Sequence, residues 1–380
     1  MEYQMKLFAV LLFGIGLYFL QLYLYRHFWD KGLNVTIDFA RNIVREGEEN
    51  KLIETISNDK LLPLPVVQVK FSVTRTFKFK KMDNSSVTDL YYRNDFFSLL
   101  SYRRITRTYE FVCSQRGYYP LNDLDILCKD LFLTGMMLRS YKPQAGVCVL
   151  PSRLSPDELP VNVNEMIGEV IARLKRNEDP FEFSGIREYQ PYDPMNRINW
   201  KASAGGTGLK VNKFNTTYDR RISIFFNAEC HVKWREEVFL EEGIRLAASL
   251  ADRFISSHIP VALFSNGCDI ISGEPVAVEA GADRRHLLNM EIALARLDAS
   301  KQKDDFAGMM LKCLKDDRYK GTECVIISNY RKKDLLEAYD KIKETGVNIS
   351  WIIPEYGTVD PKPTGEGDGY IMKWTVGNAV

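Results

Sequence analysis

The sequence carries almost no net charge. Its 380 residues include 51 Lys plus Arg and 50 Asp plus Glu, which gives a formal charge of +1. Proteins that bind nucleic acids usually display a basic field that this balance lacks, so no nucleic-acid partner is expected. The composition is otherwise ordinary, with 45% hydrophobic and 27% charged residues. It excludes a disordered or collagen-like chain and predicts two to three folded domains.

Paired cysteines are also missing. The seven cysteines are odd in number and form no Cys-x-x-Cys motif, which argues against a disulfide framework and a zinc knuckle. They lie in apolar stretches such as Gly146-Val-Cys-Val-Leu150. This pattern is typical of thiols buried as small hydrophobes in a reducing compartment. It indicates that the bulk of the chain is cytoplasmic.

Motifs for covalent chemistry are absent as well. The four histidines lie in unrelated contexts, and the sequence contains neither a Gly-x-Ser-x-Gly elbow nor a phosphate-binding Gly-x4-Gly-Lys-Ser/Thr loop. The sequence therefore predicts a protein that is not an enzyme and uses no cofactor. A hydrolase of envelope material is an alternative that ranks third, after the scaffold and the receptor described below. It would need a nucleophile and a base brought together from distant positions.

What the sequence does have is one long apolar run near its start. Residues 7–25 contain no charged residue, and 19 helical residues span about 28 Å, close to the ~30 Å of a bilayer's hydrocarbon layer. The run therefore predicts a single transmembrane helix, which with its flanks covers residues 1–31. Residues 7–25 are expected to contact the lipid bilayer. The run is long for a cleaved signal peptide and no Ala-x-Ala site follows it. Arg26 and Lys31 after the run favour a single-pass protein of the cell membrane with a cytoplasmic body.

Residues 32–151 alternate apolar and polar side chains with a period of two. Val66-Val-Gln-Val-Lys-Phe-Ser-Val73 and Ile105-Thr-Arg-Thr-Tyr-Glu-Phe-Val112 show the pattern, and turn residues separate such runs. This periodicity is typical of antiparallel strands with one buried face. It predicts a β-sandwich domain.

The pattern changes after Pro151. Residues 152–218 begin with a linker helix, and between 219 and 353 short apolar strands alternate with amphipathic helices. Such alternation predicts an α/β domain, a doubly wound parallel sheet with helices on both faces. Residues 354–380 form a C-terminal tail to which no role is assigned, with a late strand at Tyr370 to Val376.

The most distinctive segment lies between Phe183 and Phe214. Its pattern is carried by Gly185, Arg187, Glu188, Tyr189, Pro191, Asp193, Arg197, Trp200, Lys201, Ser203 and Ala204. The segment resembles the signature of the bacterial and archaeal domain of unknown function 58 family. That resemblance implies a membrane anchor, a β-rich region and a von Willebrand factor type A-like α/β domain. Three features depart from the family: Tyr192 replaces a usual Gly, Gly205-Gly206 replaces an Arg-containing pair, and one membrane helix replaces two.

The same segment has two interpretations. In the first, it is a structural clasp in which Arg187 and Arg197 pair with carboxylates or sheet carbonyls and Trp200 anchors the loop apolarly. In the second, it is a docking surface for a partner or an anion. The residues that carry either interpretation are Arg187, Glu188, Tyr189, Asp193, Arg197, Trp200, Lys201 and Ser203.

A type A domain usually holds a divalent cation with an Asp-x-Ser-x-Ser motif after its first strand and a later Asp. Here Asn227 and Glu229 occupy the positions of the first Asp and Ser, and Asn329 stands where the later Asp is expected. Hard cations need carboxylate oxygens to offset their lost hydration. The site is degenerate and no bound metal is predicted.

These features together favour a membrane-anchored scaffold or adaptor that binds other proteins. The family resemblance implies a MoxR-type AAA+ ATPase as partner, together with other membrane or envelope proteins whose assembly or maturation the pair would serve. The alternative is a metal-dependent ligand-binding receptor of type A.

Overall fold

The computed structural model describes residues 2–80, 85–87, 90–121, 123–176, 183–191, 193–205, 208–214, 221–229, 236–302, 305–315, 323–330, 333–356 and 370–376. The chain divides into two compact units, Met1–Ser152 and Arg153–Val380. The finer domain boundaries drawn from the sequence stay predictions.

The N-terminal unit contains one helix followed by twelve strands in its described residues. The elements are α1 Glu2–Phe28, β1 Leu33–Phe39, β2 Ile43–Arg45, β3 Glu49–Asn58, β4 Leu64–Thr74, β5 Phe77–Phe79, β6 Ser85–Val87, β7 Leu90–Leu99, β8 Arg104–Cys113, β9 Gly117–Pro120, β10 Leu124–Lys129, β11 Met136–Tyr141 and β12 Gly146–Leu150.

Two antiparallel sheets enclose the core of this unit. One has the strand order β1-β3-β8-β5 and the other β11-β10-β4-β7-β6, while β2, β12 and β9 form a smaller third sheet. Period-two alternation turns Leu52 and Ile56 of one sheet and Val67 and Phe97 of the other into the same hydrophobic cluster. The arrangement is a sandwich whose outer strand faces remain partly exposed.

Helix α1 is long and apolar enough to cross a membrane, or to act as a signal anchor, over Tyr3–Phe28. Its last turns belong to the sandwich, because Tyr25 and the following Trp29 are buried in the core cluster. The Tyr25 hydroxyl donates a 2.7 Å hydrogen bond to the carbonyl of Pro63. The C-terminal end of the helix is therefore fixed to the sandwich.

The C-terminal unit mixes helices and strands. Its described elements are α2 Val161–Arg176, β13 Phe183–Glu188, a 3-10 turn Met195–Arg197, α3 Trp200–Ser203, β14 Lys210–Phe214, β15 Ile222–Phe226, α4 Glu236–Ser256, β16 Val261–Asp269, β17 Pro275–Gly281, α5 Arg284–Ala295, β18 Leu297–Gln302, α6 Phe306–Lys315, β19 Glu323–Ile327, α7 Lys333–Glu344, β20 Ile349–Tyr356 and β21 Tyr370–Val376.

The main sheet of this unit has seven strands in the order β17-β16-β15-β19-β20-β21, with β18 paired to β16. Adjacent residues of β15 point to different clusters. Ile224 packs in a cluster with residues of α2, α4 and α5, and Phe225 packs in a cluster with residues of α6 and α7. Each face of the sheet thus has its own hydrophobic core.

The predicted fold class is wrong. The prediction was a von Willebrand factor type A-like doubly wound parallel sheet together with an N-terminal all-β sandwich and one transmembrane helix. In the described residues strand, at 40%, exceeds helix, at 33%, and the sheets are largely antiparallel. The seven-stranded sheet is itself mixed, because β17 and β18 both run antiparallel to β16. A tight turn causes the reversal from β16 to β17: Asp269 accepts hydrogen bonds from the backbone N–H groups of Ile271 and Ser272, and Gly273 has φ +68°. So short a connection permits only antiparallel pairing, since parallel strands need a long crossover.

Five of the described thiols are buried: Cys113, Cys128, Cys148, Cys268 and Cys324. Burial raises the pKa of Cys128 to about 12 and that of Cys113 to about 11. Thiols with so little thiolate at neutral pH are unreactive, so these two side chains act as packing groups.

Candidate functional site

Strands β13 and β14 and the described residues between them form a hairpin with a short helical cap, which we call the signature hairpin (residues 185–191, 193–205 and 208–212). The strands pair antiparallel, with Glu188 opposite Lys210 and Ile186 opposite Asn212. The 3-10 turn and α3 lie between the strands, and the N–H of Asn199 returns to the carbonyl of Lys210 at 2.8 Å. The predicted candidate residues are thereby gathered on one small element.

An ion pair closes the first half of the signature hairpin. The Arg187 guanidinium donates two 2.6 Å hydrogen bonds to the two carboxylate oxygens of Asp193, and the N–H of Gln190 donates a third at 2.9 Å. The bidentate Arg187 contact holds the pKa of Asp193 below its usual range. Arg187 and Asp193 thus meet as the clasp interpretation expects, while Tyr192 lies outside the described residues.

Asn199 and Ser203 close the second half. Asn199 caps α3 by accepting from the N–H of Ala202 at 2.9 Å, and its amide donates to Asn212 at 2.7 Å. The Ser203 hydroxyl donates to the carbonyl of Asn199 at 2.8 Å and accepts from the N–H of Lys210 at 2.9 Å. Sequence reasoning missed Asn199, although Asn before a helical Trp-Lys-Ala-Ser is a typical cap signal.

Apolar and basic side chains of the signature hairpin face outward. Trp200 is 65% exposed and Met195 is 70% exposed, and the charged residues Lys201 and Glu188 are exposed as well. Trp200 therefore does not serve as the buried anchor that the clasp interpretation assigned to it. Arg197 and Tyr189 are half-buried, and the Tyr189 backbone N–H bonds to the carbonyl of Leu209. The hairpin combines a closed internal frame with an exposed aromatic ring.

A second polar group sits at the carboxyl ends of the central strands. We call Asn227, Glu229, Asn266 and Ser328 the strand-end cluster. The Asn227 amide donates to Ser328 at 3.0 Å and accepts from the N–H of Glu229 at 2.9 Å. Asn266 accepts from the N–H of Ala228 at 2.8 Å and donates to the Glu229 carboxylate at 3.2 Å. Hydrogen bonds with neighbouring side chains and backbone thus occupy both amides.

Two of the three predicted degenerate metal positions, Asn227 and Glu229, belong to this strand-end cluster. Asn329 follows Ser328 and lines a small cavity with Phe239, Gly243 and Pro354. Among the described residues, no group of three or more His, Cys, Asp or Glu side chains is placed to hold a metal ion.

A third group, which sequence reasoning missed, lies inside the sandwich. We call Glu54, Arg93, Asp95 and Tyr109 the sandwich charge cluster. Arg93 contacts Asp95 at 3.3 Å, and its guanidinium stacks 3.8 Å from the centre of the Tyr109 ring. The Tyr109 hydroxyl lies 3.1 Å from a carboxylate oxygen of Glu54 and 3.1 Å from one of Asp95. A signal was present, because Glu54 lies two residues from both Leu52 and Ile56 and so shares their inward face of β3.

Burial, and then the nearby charge of Asp95, raise the pKa of Glu54 to about 7. Burial and the same two carboxylates also raise the pKa of Tyr109. The single Tyr109 proton cannot serve both carboxylates, and the second oxygen of Glu54 has no hydrogen-bond partner among the residues that the structure describes. A protonated Glu54 resolves the conflict by donating to Tyr109 while Tyr109 donates to Asp95.

No family model and no curated protein matches this chain. Among solved structures, the chain is similar to the CARDB domain of a Pyrococcus furiosus protein, with 12% identity over 32% of this chain and 90% of that one and a TM-score of 0.21. It is also similar to a non-cellulosomal cohesin from Archaeoglobus fulgidus, with 12% identity over 31% and 91% and a TM-score of 0.21. Likenesses of this size carry no argument about function, and the resemblance to the domain of unknown function 58 family stays a prediction.

Proposed function

We propose that this protein is a membrane-anchored, non-enzymatic scaffold or adaptor that docks a partner protein through the signature hairpin. The observation that carries the proposal is the exposed Trp200 on a frame closed by the Arg187–Asp193 pair. The partner is a MoxR-type AAA+ ATPase, inferred from the family resemblance alone. The pair would act in assembly or maturation of envelope complexes.

The physical support is the combination of exposure and order. Aromatic and basic side chains dominate the binding energy of many interfaces, and Trp, Tyr and Arg are the commonest hot-spot residues. Because Asn199 and Ser203 hold the backbone around Trp200, little further ordering is needed when a partner covers the ring. Lys201 and the half-buried Arg197, both within three residues of Trp200 in the chain, add positive charge to the same hairpin.

The anchor in this proposal is α1, crossing the cell membrane once with the body in the cytoplasm. Its supporting features are the length and apolarity of Tyr3–Phe28 and the basic residues Arg26 and Lys31 at its C-terminal end. Basic residues flank membrane helices preferentially on the cytoplasmic side.

The test is direct binding between the full-length chain in nanodiscs and a purified MoxR-type ATPase from the same organism. Trp200→Ala should weaken binding at least about 30-fold, the equivalent of a 2 kcal/mol hot spot. Ile271→Ala is the matched control, because Ile271 is also exposed, at 56%, and lies in the same unit on the turn after β16. The control should bind as the wild type does.

The charge reversal Arg197→Glu separates docking from the clasp. If the hairpin docks a partner, this variant should lose binding while its thermal midpoint stays within a few degrees of the wild type. Equal loss of folding and binding would favour the clasp, and unchanged binding of both Trp200→Ala and Arg197→Glu would contradict the docking proposal.

A further inference from the structure

The turn between β10 and β11 carries three consecutive apolar residues on its surface. Leu131, Phe132 and Leu133 are 53%, 56% and 55% exposed. The buried Asp130 holds the turn by accepting from the backbone N–H of Thr134 at 2.7 Å and from its hydroxyl at 2.8 Å. Leu133 adopts φ +60°, which is disfavoured for a residue with a Cβ atom. The turn is thus built to display an apolar tip.

This apolar tip lies beside α1, within its apolar run. The Phe132 and Tyr18 rings are 6.1 Å apart, and the Tyr18 hydroxyl donates to Thr134 at 3.3 Å. One turn further along the helix, the Gln21 amide donates to Asp130 at 3.2 Å. The one strongly polar residue of the run therefore has its partner in this turn.

The position of Tyr18 sets the depth of the tip. Tyr18 precedes Tyr25, the last residue of the uncharged run, by seven residues, about 10 Å along the helix axis. When the run occupies the hydrocarbon layer, a tip level with Tyr18 lies below the headgroups of the same leaflet.

Two further loops show apolar side chains near the same end of α1. Leu61 is 75% exposed and, with Leu24 and Phe28, lines an open apolar cleft against the helix. Tyr102 is 69% exposed, and its N–H bonds to the carbonyl of Lys60, which ties its loop to that of Leu61. Leu61 therefore lies against the end of α1, and the loop of Tyr102 is tied to the loop of Leu61.

We infer that Leu131, Phe132 and Leu133 insert into the lipid bilayer as a second membrane contact beside α1, with Leu61 and Tyr102 at the headgroup level. The C-terminal end of α1 is already fixed to the sandwich, and the inserted tip adds a second membrane contact that restricts the tilt of both relative to the bilayer. The inference rests on the membrane anchoring in the proposed function and is independent of the docking at Trp200.

Lipid is the occupant that the surroundings favour. The tip is continuous with the lipid-facing surface of α1, where Phe13 and Phe19 are exposed. It carries no charge, and the Asp130 carboxylate beneath it accepts hydrogen bonds from Thr134 and Gln21. Positive groups lie just beyond the end of the helix, where Lys31 lies over the Phe28 ring and Arg139 pairs with Asp30. An apolar tip followed by basic groups matches the order of a bilayer's acyl and headgroup layers.

The test is photo-crosslinking of the full-length chain in nanodiscs of palmitoyl-oleoyl phosphatidylcholine and phosphatidylglycerol. The photoreactive p-benzoylphenylalanine replaces Phe132 in one protein, Tyr92 in a second and Phe13 in a third. Tyr92 is the matched control because it is an exposed aromatic residue of the same sheet. Tyr92 pairs with Ser72 of β4, whereas Lys129, the last residue before the turn of Phe132, pairs with Val66 of β4. Ser72 and Val66 are six residues apart, so the two probes are separated by about 20 Å along the strands. Mass spectrometry counts the lipid adducts.

We expect at least tenfold more lipid adduct at position 132 than at position 92, and a strong adduct at position 13. Adducts at 13 with equal, low yields at 132 and 92 would overturn this inference and leave the anchoring intact. Crosslinks from 132 to a second copy of the chain, in place of lipid, would also overturn it. Low yields at all three positions would remove the membrane anchoring and this inference together.

Discussion

In the N-terminal unit four ionisable side chains meet in the interior of the sandwich, whereas the C-terminal unit fills the ends of its central strands mainly with amides and a hydroxyl. Glu54, Arg93 and Asp95 are each at most 4% exposed. In the strand-end cluster Asn227, Asn266 and Ser328 are as deeply buried but neutral. Both clusters bury polar groups, yet of the two only the sandwich charge cluster buries an ion pair. Elsewhere the C-terminal unit buries Glu291 beside Arg153 and Glu323 beside Arg173.

The difference has an energetic meaning. A neutral amide whose hydrogen bonds are filled contributes the same stability over a wide pH range. A buried ion pair must offset a large desolvation penalty. Removing one partner leaves the other charge buried and unpaired, which strongly destabilises the fold. The sandwich charge cluster should therefore respond strongly to mutation and pH, and the strand-end cluster weakly.

The largest effect should come from Arg93→Ala. The substitution leaves Asp95, and any ionised Glu54, without their buried cation, so the free energy of unfolding should fall by about 3–5 kcal/mol. Urea denaturation measures the change. Arg107→Ala is the control: Arg107 also contacts Asp95 at 3.3 Å but is 38% exposed, so about 1 kcal/mol is expected. Equal effects of the two variants would contradict the comparison.

The next effect concerns pH and Glu54. Because its folded pKa of about 7 exceeds the ordinary 4.5, the folded protein binds the proton more tightly than the unfolded chain. The stabilisation is complete below pH 4.5 and is lost as the pH rises through 7, a total of about 3 kcal/mol.

Glu54→Gln should remove that part of the pH dependence. The stability of this variant relative to the wild type should therefore be greater at pH 8 than at pH 5. Denaturation curves of both proteins at several pH values give the difference and cancel the titration of other groups. A constant difference between the two proteins across pH 5 to 8 would show that Glu54 does not titrate there.

A smaller effect is expected when charge is introduced into the strand-end cluster. Asn227→Asp removes the amide donor to Ser328 and places a carboxylate at a position 2% exposed, near Glu229. The free energy of unfolding should fall by roughly 2 kcal/mol at pH 7. Glu229→Gln is the control and should change little. Millimolar or tighter Mg²⁺ binding by the wild type, abolished in Glu229→Ala, would instead revive the metal-dependent receptor.

The smallest effect is expected where an amide closes a surface turn. Asn199→Ala removes the cap of α3, and Ala at this position should cost about 1 kcal/mol. Thermal melts detect the change, and Asn199→Ser, which keeps a capping oxygen, should recover most of it. A loss as large as that of Arg93→Ala would mean that the signature hairpin is part of the unit's core.

Local signals explain what could be predicted about the site. The opposite charges of Arg187 and Asp193 lie six residues apart, so a turn brings them together, and Asn199 precedes its helix directly. The meeting of Glu54 with Tyr109 depended on the register of β3 and β8, and the meeting of both with Asp95 of β7 depended on how the two sheets pack. The sequence encodes neither locally. The turn at Gly273, which reverses the chain between β16 and β17, was missed for another reason. The surrounding alternation of helices and strands predicted parallel strands, and it outweighed the short turn signal.

By itself, the sequence determined the apolar helix, the alternation that turns Glu54 inward and the residues of the signature hairpin, because each depends on neighbours within one turn or strand. Tertiary structure alone decided that Trp200 faces solvent, that amides fill the strand ends, and that the tip at Phe132 lies level with Tyr18. These features join residues as far as 114 positions apart. Only the packing of complete sheets and helices brings such residues within a few ångströms, since hydrophobic burial specifies that surfaces meet but strand register specifies which atoms do.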